Sequence, residues 1–201
     1  MKQVWKPTTI LSPVPVVMVS CTDKEGNDNI VTIAWVGTIN SEPPMLSISV
    51  RPERHSYHLI RESGQFVVNL VTEDLAKATD YCGVKSGRDV DKFKETGLTR
   101  EKSENVMVPA IKESPINIEC VVKDEIKLGT HSMFVAEIVA VKVDDSIIDD
   151  KGSLCLENSS LVAYSHGAYW TLGECLGYFG YSVTKDKTTY DERMKKFRKD
   201  K

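Results

Sequence analysis

The chain has 201 residues, 41% hydrophobic and 27% charged, enough apolar material for one large domain or two small ones with a real core. Its 26 basic and 29 acidic residues give a formal net charge of −3, which argues against nucleic acid as the main partner, because duplex binders carry a dominant basic face. Five widely spaced cysteines, Cys21, Cys82, Cys120, Cys155 and Cys175, include no C-x-x-C pair, which points away from a disulfide framework or zinc site and toward a reducing compartment. No apolar run nears the ~20 residues of a membrane helix. The opening MKQVWKP has no signal-peptide pattern, so a cytoplasmic protein with no membrane partner is expected.

In chain order, residues 14–22 (VPVVMVSCT) predict a strand, 23–27 a turn, and 30–36 a second strand that forms a hairpin with the first. A turn at 41–44 (SEPP) leads to a third strand at 45–50. Residues 56–62 have helical spacing, ended by Ser63-Gly64. A fourth strand follows at 66–70 (FVVNL), then a helix at 74–81 and a short helix at 90–95 opened by Asp89 as N-cap. Two long alternating runs, 117–127 and 134–143, flank a turn at 127–131. The Gly-rich and aromatic stretch 166–182 is too irregular to fold alone, and the basic run 195–201 predicts a solvated end. Long strands without regular crossover helices indicate a mainly β, antiparallel barrel with short helices. We expect a single domain over 1–201 with a C-terminal extension from 166.

Three stretches are able to carry chemistry. At 51–56 (RPERHS) a strand runs into a helix start, where free N–H groups and the positive end of the helix dipole meet Arg51, Arg54, His55 and Ser56. That is a seat for a phosphate without a glycine-rich loop, to which Thr32 and Ser49 could add hydroxyls. The alternative is a solvated basic turn. At 82–93 (CGVKSGRDVDKF), capping explains the acids but not Arg88 or Lys92; Lys92 either reaches a ligand or lies in solvent. In the tail, Tyr169, Trp170, Tyr178, Phe179 and Tyr181 cover a flat ligand, a partner subunit or the protein's own core. His131 sits in a turn, as a plain turn residue or as a donor at a site mouth. His55 and His58 have no carboxylate or cysteine pattern to complete a metal site. Rossmann, P-loop and G-x-S-x-G motifs are absent.

Four stretches in this order, SVRPERHSYHLIRESGQFVVNL, CGVKSGRDVDKF, LGTHSMFVAEIVAV and YWTLGECLGYFGYS, resemble the flavin reductase-like family, specifically its flavoredoxin and ferric reductase-like branch, over residues 7–183. The resemblance implies an FMN-binding split β-barrel that works as a homodimer. By the same resemblance, Ser49, Val50, Arg51, His55 and Ser56, with Thr32, hold the FMN phosphate end. Residues Asn29, Thr32, Ile33, Ala34 and Trp35 lie along the isoalloxazine ring, with Thr32 near its reactive nitrogen and Trp35 flanking it. Lys92 approaches the ring. His131 matches the family's Gly-x-His turn and is the catalytic candidate, although position 130 is Thr where many relatives have Asp. Tyr169 and Trp170 border the site from the other subunit. If Arg51 and Ser56 close the phosphate end, FAD binds more weakly than FMN. The implied activity is NAD(P)H-dependent reduction of flavin, ferric chelate or another small acceptor. The alternatives are an electron carrier between redox proteins and a non-enzymatic flavin binder.

Overall fold

The computed structural model describes residues 1–195 and residue 197; the rest of the basic run at 196–201 lies outside the described residues. Among the described residues there are twelve strands and four α-helices, none long and apolar enough to cross a membrane. The strand expected at 14–22 is two elements, β1 (Val14–Pro15) and β2 (Val17–Thr22). Pro15 has no N–H to extend a ladder, and the chain changes sheets there. β3 (Asp28–Ile33) pairs antiparallel with β2 and ends at a bend at residues 34–35. Beyond the bend runs β4 (Val36–Ser41), most of which falls between the expected strand at 30–36 and the expected turn at 41–44; it pairs with β5 (Pro44–Val50).

α1 (His55–Ser63) buries Ser56, Tyr57, Leu59 and Ile60 and stops at Gly64, whose φ of 67° suits only a residue without a Cβ. β6 (Gln65–Leu70), α2 (Ala76–Val84) and α3 (Lys92–Thr96) follow. The expected Asp89 cap is corrected: Asp91 caps α3 by accepting from the Lys94 N–H at 3.2 Å. Asp89 belongs to the preceding turn, its N–H bonded to the Ser86 carbonyl. β7 (Arg100–Glu101) and β8 (Ala110–Ile111) make a small ribbon. β9 (Ile116–Lys127) and β10 (Ser132–Val143) form the long hairpin expected, with two register shifts. β11 (Val162–Ser165) and β12 (Ala168–Thr171) complete a second sheet with β1, and α4 (Lys187–Lys195) is the last helix among the described residues. Within 166–182 the regular structure is β12 and the start of a single 3-10 turn at Tyr181–Val183, and residues 172–178 carry no helix or strand.

The main sheet has the order β3-β2-β6-β9-β10-β5-β4, every pair antiparallel. It curls round one core in which Val17, Val19, Ile33, Ile48, Phe66 and Phe134 pack with Tyr57 and Ile60 of α1. The Ser49 N–H donates to the Trp35 carbonyl at 2.9 Å, tying the β3–β4 bend to β5. Outside the barrel, Met18 and Ile30 meet Leu75, Cys82 and Phe93 from the α2–α3 layer. β2 is thus covered on both faces, which is why all six of its residues are buried and its sequence does not alternate in polarity.

Candidate functional site

Two clefts open side by side where β3, the 34–35 bend, the end of β5 and the start of α1 meet. The larger, of about 430 Å³, is lined by Asn29, Val31, Arg51, Glu53, Arg54, His55, Ser56, Cys82, Lys85, Ser86, Gly87, Arg88 and Lys92. The smaller, of about 160 Å³, is lined by Val31, Thr32, Ile33, Ala34, Trp35, Ser49, Val50, Arg51, Arg54 and His131. Val31, Arg51 and Arg54 belong to both, so the two form one trench. Its ends differ in chemistry. The larger has five Lys or Arg side chains and His55 against one carboxylate, Glu53. The smaller has the shared Arg51 and Arg54 as its only Lys or Arg, with aliphatic residues, the hydroxyl residues Thr32 and Ser49, Trp35 and His131.

At the larger end, α1 begins without a side-chain cap, because its N-cap is Arg54. Its first N–H groups and dipole therefore remain available for an anion. Arg51 pairs loosely with Glu53 at 3.8 Å, and Arg54 donates to the Gly83 carbonyl at 3.4 Å. Ser56 is buried and accepts from the Asn29 side-chain amide at 2.8 Å, which makes the two the floor of the cleft. Burial first, then the charges of Arg88, His58 and Lys92, hold the His55 pKa below its ordinary 6.5.

Lys92 is not a solvent lysine. It is 4% exposed, and its ammonium donates to the Ile30 carbonyl at 2.6 Å and the Cys82 carbonyl at 2.7 Å. The resemblance sends it toward the ring. In the structure it lines the larger, cationic cleft and ties β3 to the last turn of α2. Desolvation pushes its pKa down. Desolvation also raises the neighbouring Cys82 thiol to about 11, against the pull of Lys92, so Cys82 is no nucleophile at neutral pH.

At the smaller end, the Trp35 and His131 rings lie 4.4 Å apart, tilted by 43°. Thr130 Oγ1 is 3.0 Å from His131 Nδ1, a neutral partner where a carboxylate would have favoured the imidazolium. Burial first, then Arg51, keep the His131 pKa below 6.5, so the ring is neutral at pH 7. The resemblance assigns the Thr32 hydroxyl to the flavin ring, but here it donates to the Thr79 carbonyl on α2. A ligand contact from Thr32 is left to its main chain or to the oxygen as acceptor.

Of the residues singled out in the sequence, Tyr169 and Trp170 stand off the trench. Tyr169 bonds Asp80 at 3.2 Å, on α2, and packs against the outer core. Exposed Trp170 donates to the Ser165 carbonyl at 3.3 Å. The sequence reading passed over Glu53, Lys85, Ser86 and Gly87. The signal for the last three was a Lys-Ser-Gly-Arg run that cannot be told from a solvated turn until tertiary structure brings it opposite α1. Among the described residues no cluster of His, Cys, Asp or Glu could hold a metal.

An antiparallel barrel with this strand order and a trench at its β3–β5 side is a split β-barrel of the flavin reductase-like class. Residues 11–173 match the flavin reductase like domain, and the chain belongs to that family. The flavoredoxin of Desulfovibrio vulgaris (Miyazaki F) superposes with a TM-score of 0.85 at 31% identity, covering 92% of this chain and 100% of that one. A flavoredoxin from Methanosarcina acetivorans gives 0.82 at 28%, covering 94% and 100%. An uncharacterized protein of Archaeoglobus fulgidus is 37% identical over 123 residues, 61% of this chain and 70% of its own length.

Proposed function

We propose that the trench is an FMN site and that the protein is an FMN-dependent oxidoreductase reduced by NAD(P)H. The observation that carries this reading is the continuity of two unlike clefts through Val31, Arg51 and Arg54. FMN is divided in the same way, with a flat ring, a polyol linker and a dianionic phosphate. The start of α1 with Arg51, Arg54 and His55 holds the phosphate. The backbone of 31–35, Ser49, Val50 and Trp35 hold the ring. Bound flavin supplies hydride acceptance and electron transfer, so the chain needs no nucleophile of its own. Neutral His131, fixed between Thr130 and Trp35, offers a hydrogen-bond partner at the ring's edge. The open mouth lets a nicotinamide stack without a Rossmann domain of its own. Free flavin, a ferric chelate or another small acceptor takes the electrons.

The flavoredoxin likenesses favour a second reading, an electron carrier between redox proteins. Steady-state oxidation of NADH or NADPH separates the two. Turnover supports the reductase. Reduction by a ferredoxin or hydrogenase system, with no turnover of either nucleotide, would favour the carrier. We also read residues 1–201 as a single domain that works as a homodimer, with Tyr169 and Trp170 reaching a site across the interface.

A further inference from the structure

The larger cleft holds more positive charge than one phosphate needs. Arg51, Arg54 and His55 surround the start of α1. Lys85 and Arg88 stand on the opposite lip, on the loop between α2 and α3. Among the described residues neither Lys85 nor Arg88 has an ion-pair partner. Clustered cations repel one another, and here the repulsion reaches His55, whose proton affinity Arg88 lowers. A chain of net charge −3 that concentrates uncompensated cations at one cleft is built to meet an anion there.

The trench also continues past that lip. Gly87 and Arg88 line a third cleft of about 530 Å³ together with Gly26, Asn27, Asp28, Asp89, Val90, Asp91 and Arg100. Within it Arg100 holds Asp28 at 2.7 Å and Asp91 at 3.1 Å. Asp89 has no ion pair among the described residues, and a carboxylate suits the vicinal hydroxyls of a ribose. The order along the surface is therefore ring cleft, phosphate seat, second cation pair, then a polar cleft with an available acid. At the phosphate end Ser56 is turned to Asn29, and the cleft runs on past Gly87 and Arg88.

We infer that Lys85 and Arg88 form a second phosphoryl subsite, so that the trench accepts a nucleoside diphosphate. The diphosphate belongs either to the cofactor, as in FAD, or to a nicotinamide dinucleotide docked against bound FMN. The inference rests on the flavin reading of the trench.

The test compares wild type with a Lys85→Ala/Arg88→Ala variant. Flavin-free protein is titrated with FMN and FAD by fluorescence, and FMN-loaded protein is titrated with ADP by calorimetry. If the diphosphate is the cofactor's, the variant, which removes two charge-assisted contacts, weakens FAD by at least about tenfold and FMN by less than about threefold. If it is the donor's, FAD and FMN change little, while ADP binds FMN-loaded wild type and is lost from the variant. Normal FMN binding with neither FAD nor ADP affected overturns the subsite alone. A wild type that binds no flavin overturns the subsite together with the flavin reading.

Discussion

Arg51 stands where the two clefts join, and its contact with Glu53 is long, with both side chains more than half exposed (52% and 72%). Such a pair contributes less than about 1 kcal/mol, which leaves the guanidinium to a ligand. Arg51→Ala should therefore weaken FMN about tenfold and riboflavin, which lacks the phosphate, less than about threefold. Fluorescence titration with both ligands checks this; equal losses would move the phosphate elsewhere. Ser56→Ala should behave differently from a phosphate contact. It removes the acceptor of the Asn29 amide, so both ligands should weaken together. Arg51 also acts on His131, whose pKa it depresses after burial. A depressed pKa means that the folded protein binds this proton more weakly than the unfolded chain, so the ring is neutral at pH 7 and charges only as pH falls below 6.5. An NMR titration should give a His131 midpoint below 6.5 that moves upward in Arg51→Ala. A midpoint unmoved by the substitution would show that Arg51 exerts no field on the ring.

Three elements converge on the Asn29 side chain: β3 carries it, α1 fixes its amide through Ser56, and the loop between α2 and α3 lies on it at Gly87. A Cβ at Gly87 would sit 2.3 Å from Asn29 Oδ1 and 2.8 Å from Nδ2. Gly87→Ala should destabilise the fold by about 1–3 kcal/mol through this overpacking and weaken FMN, read by urea unfolding and flavin titration. Unchanged stability and affinity would mean that the loop does not bear on the site. How far such elements could be read from sequence follows the range of the forces that place them. α1 was legible because its signals are local, an apolar face and a glycine in the αL region. β4 was not: most of it is exposed, its polarity does not alternate, and its register exists only against β5. Asp89 and Asp91 are equally good caps on paper. The choice of Asp91 goes with the burial of Lys92, whose ammonium must reach carbonyls on β3 and α2. Arg51, His55 and Ser56 were visible as a helix start. Lys85 joins them only through the tertiary fold, and no pattern in the tail could say that Tyr169 turns toward Asp80.

At the scale of the molecule, apolar side chains are exposed at both ends of the chain. Val4, Trp5, Ile10 and Leu11 in the first segment and Trp170, Leu172, Leu176 and Phe179 in the last lie open. Surface of that kind, rich in aromatics, is what the core of a protein interface provides. Light scattering should give twice the single-chain 22.5 kDa at micromolar concentration. Removing residues 168–201 should weaken both the dimer and flavin binding, and a truncated chain that keeps both would make the tail peripheral. The visible spectrum of the purified protein, taken before and after anaerobic addition of NADH and of NADPH, decides whether it is an FMN-dependent oxidoreductase. The purified protein should be yellow, carry about one FMN per chain, and lose its flavin absorbance on addition of one of the two nucleotides. A colourless protein that leaves FMN fluorescence unchanged on titration would contradict that assignment.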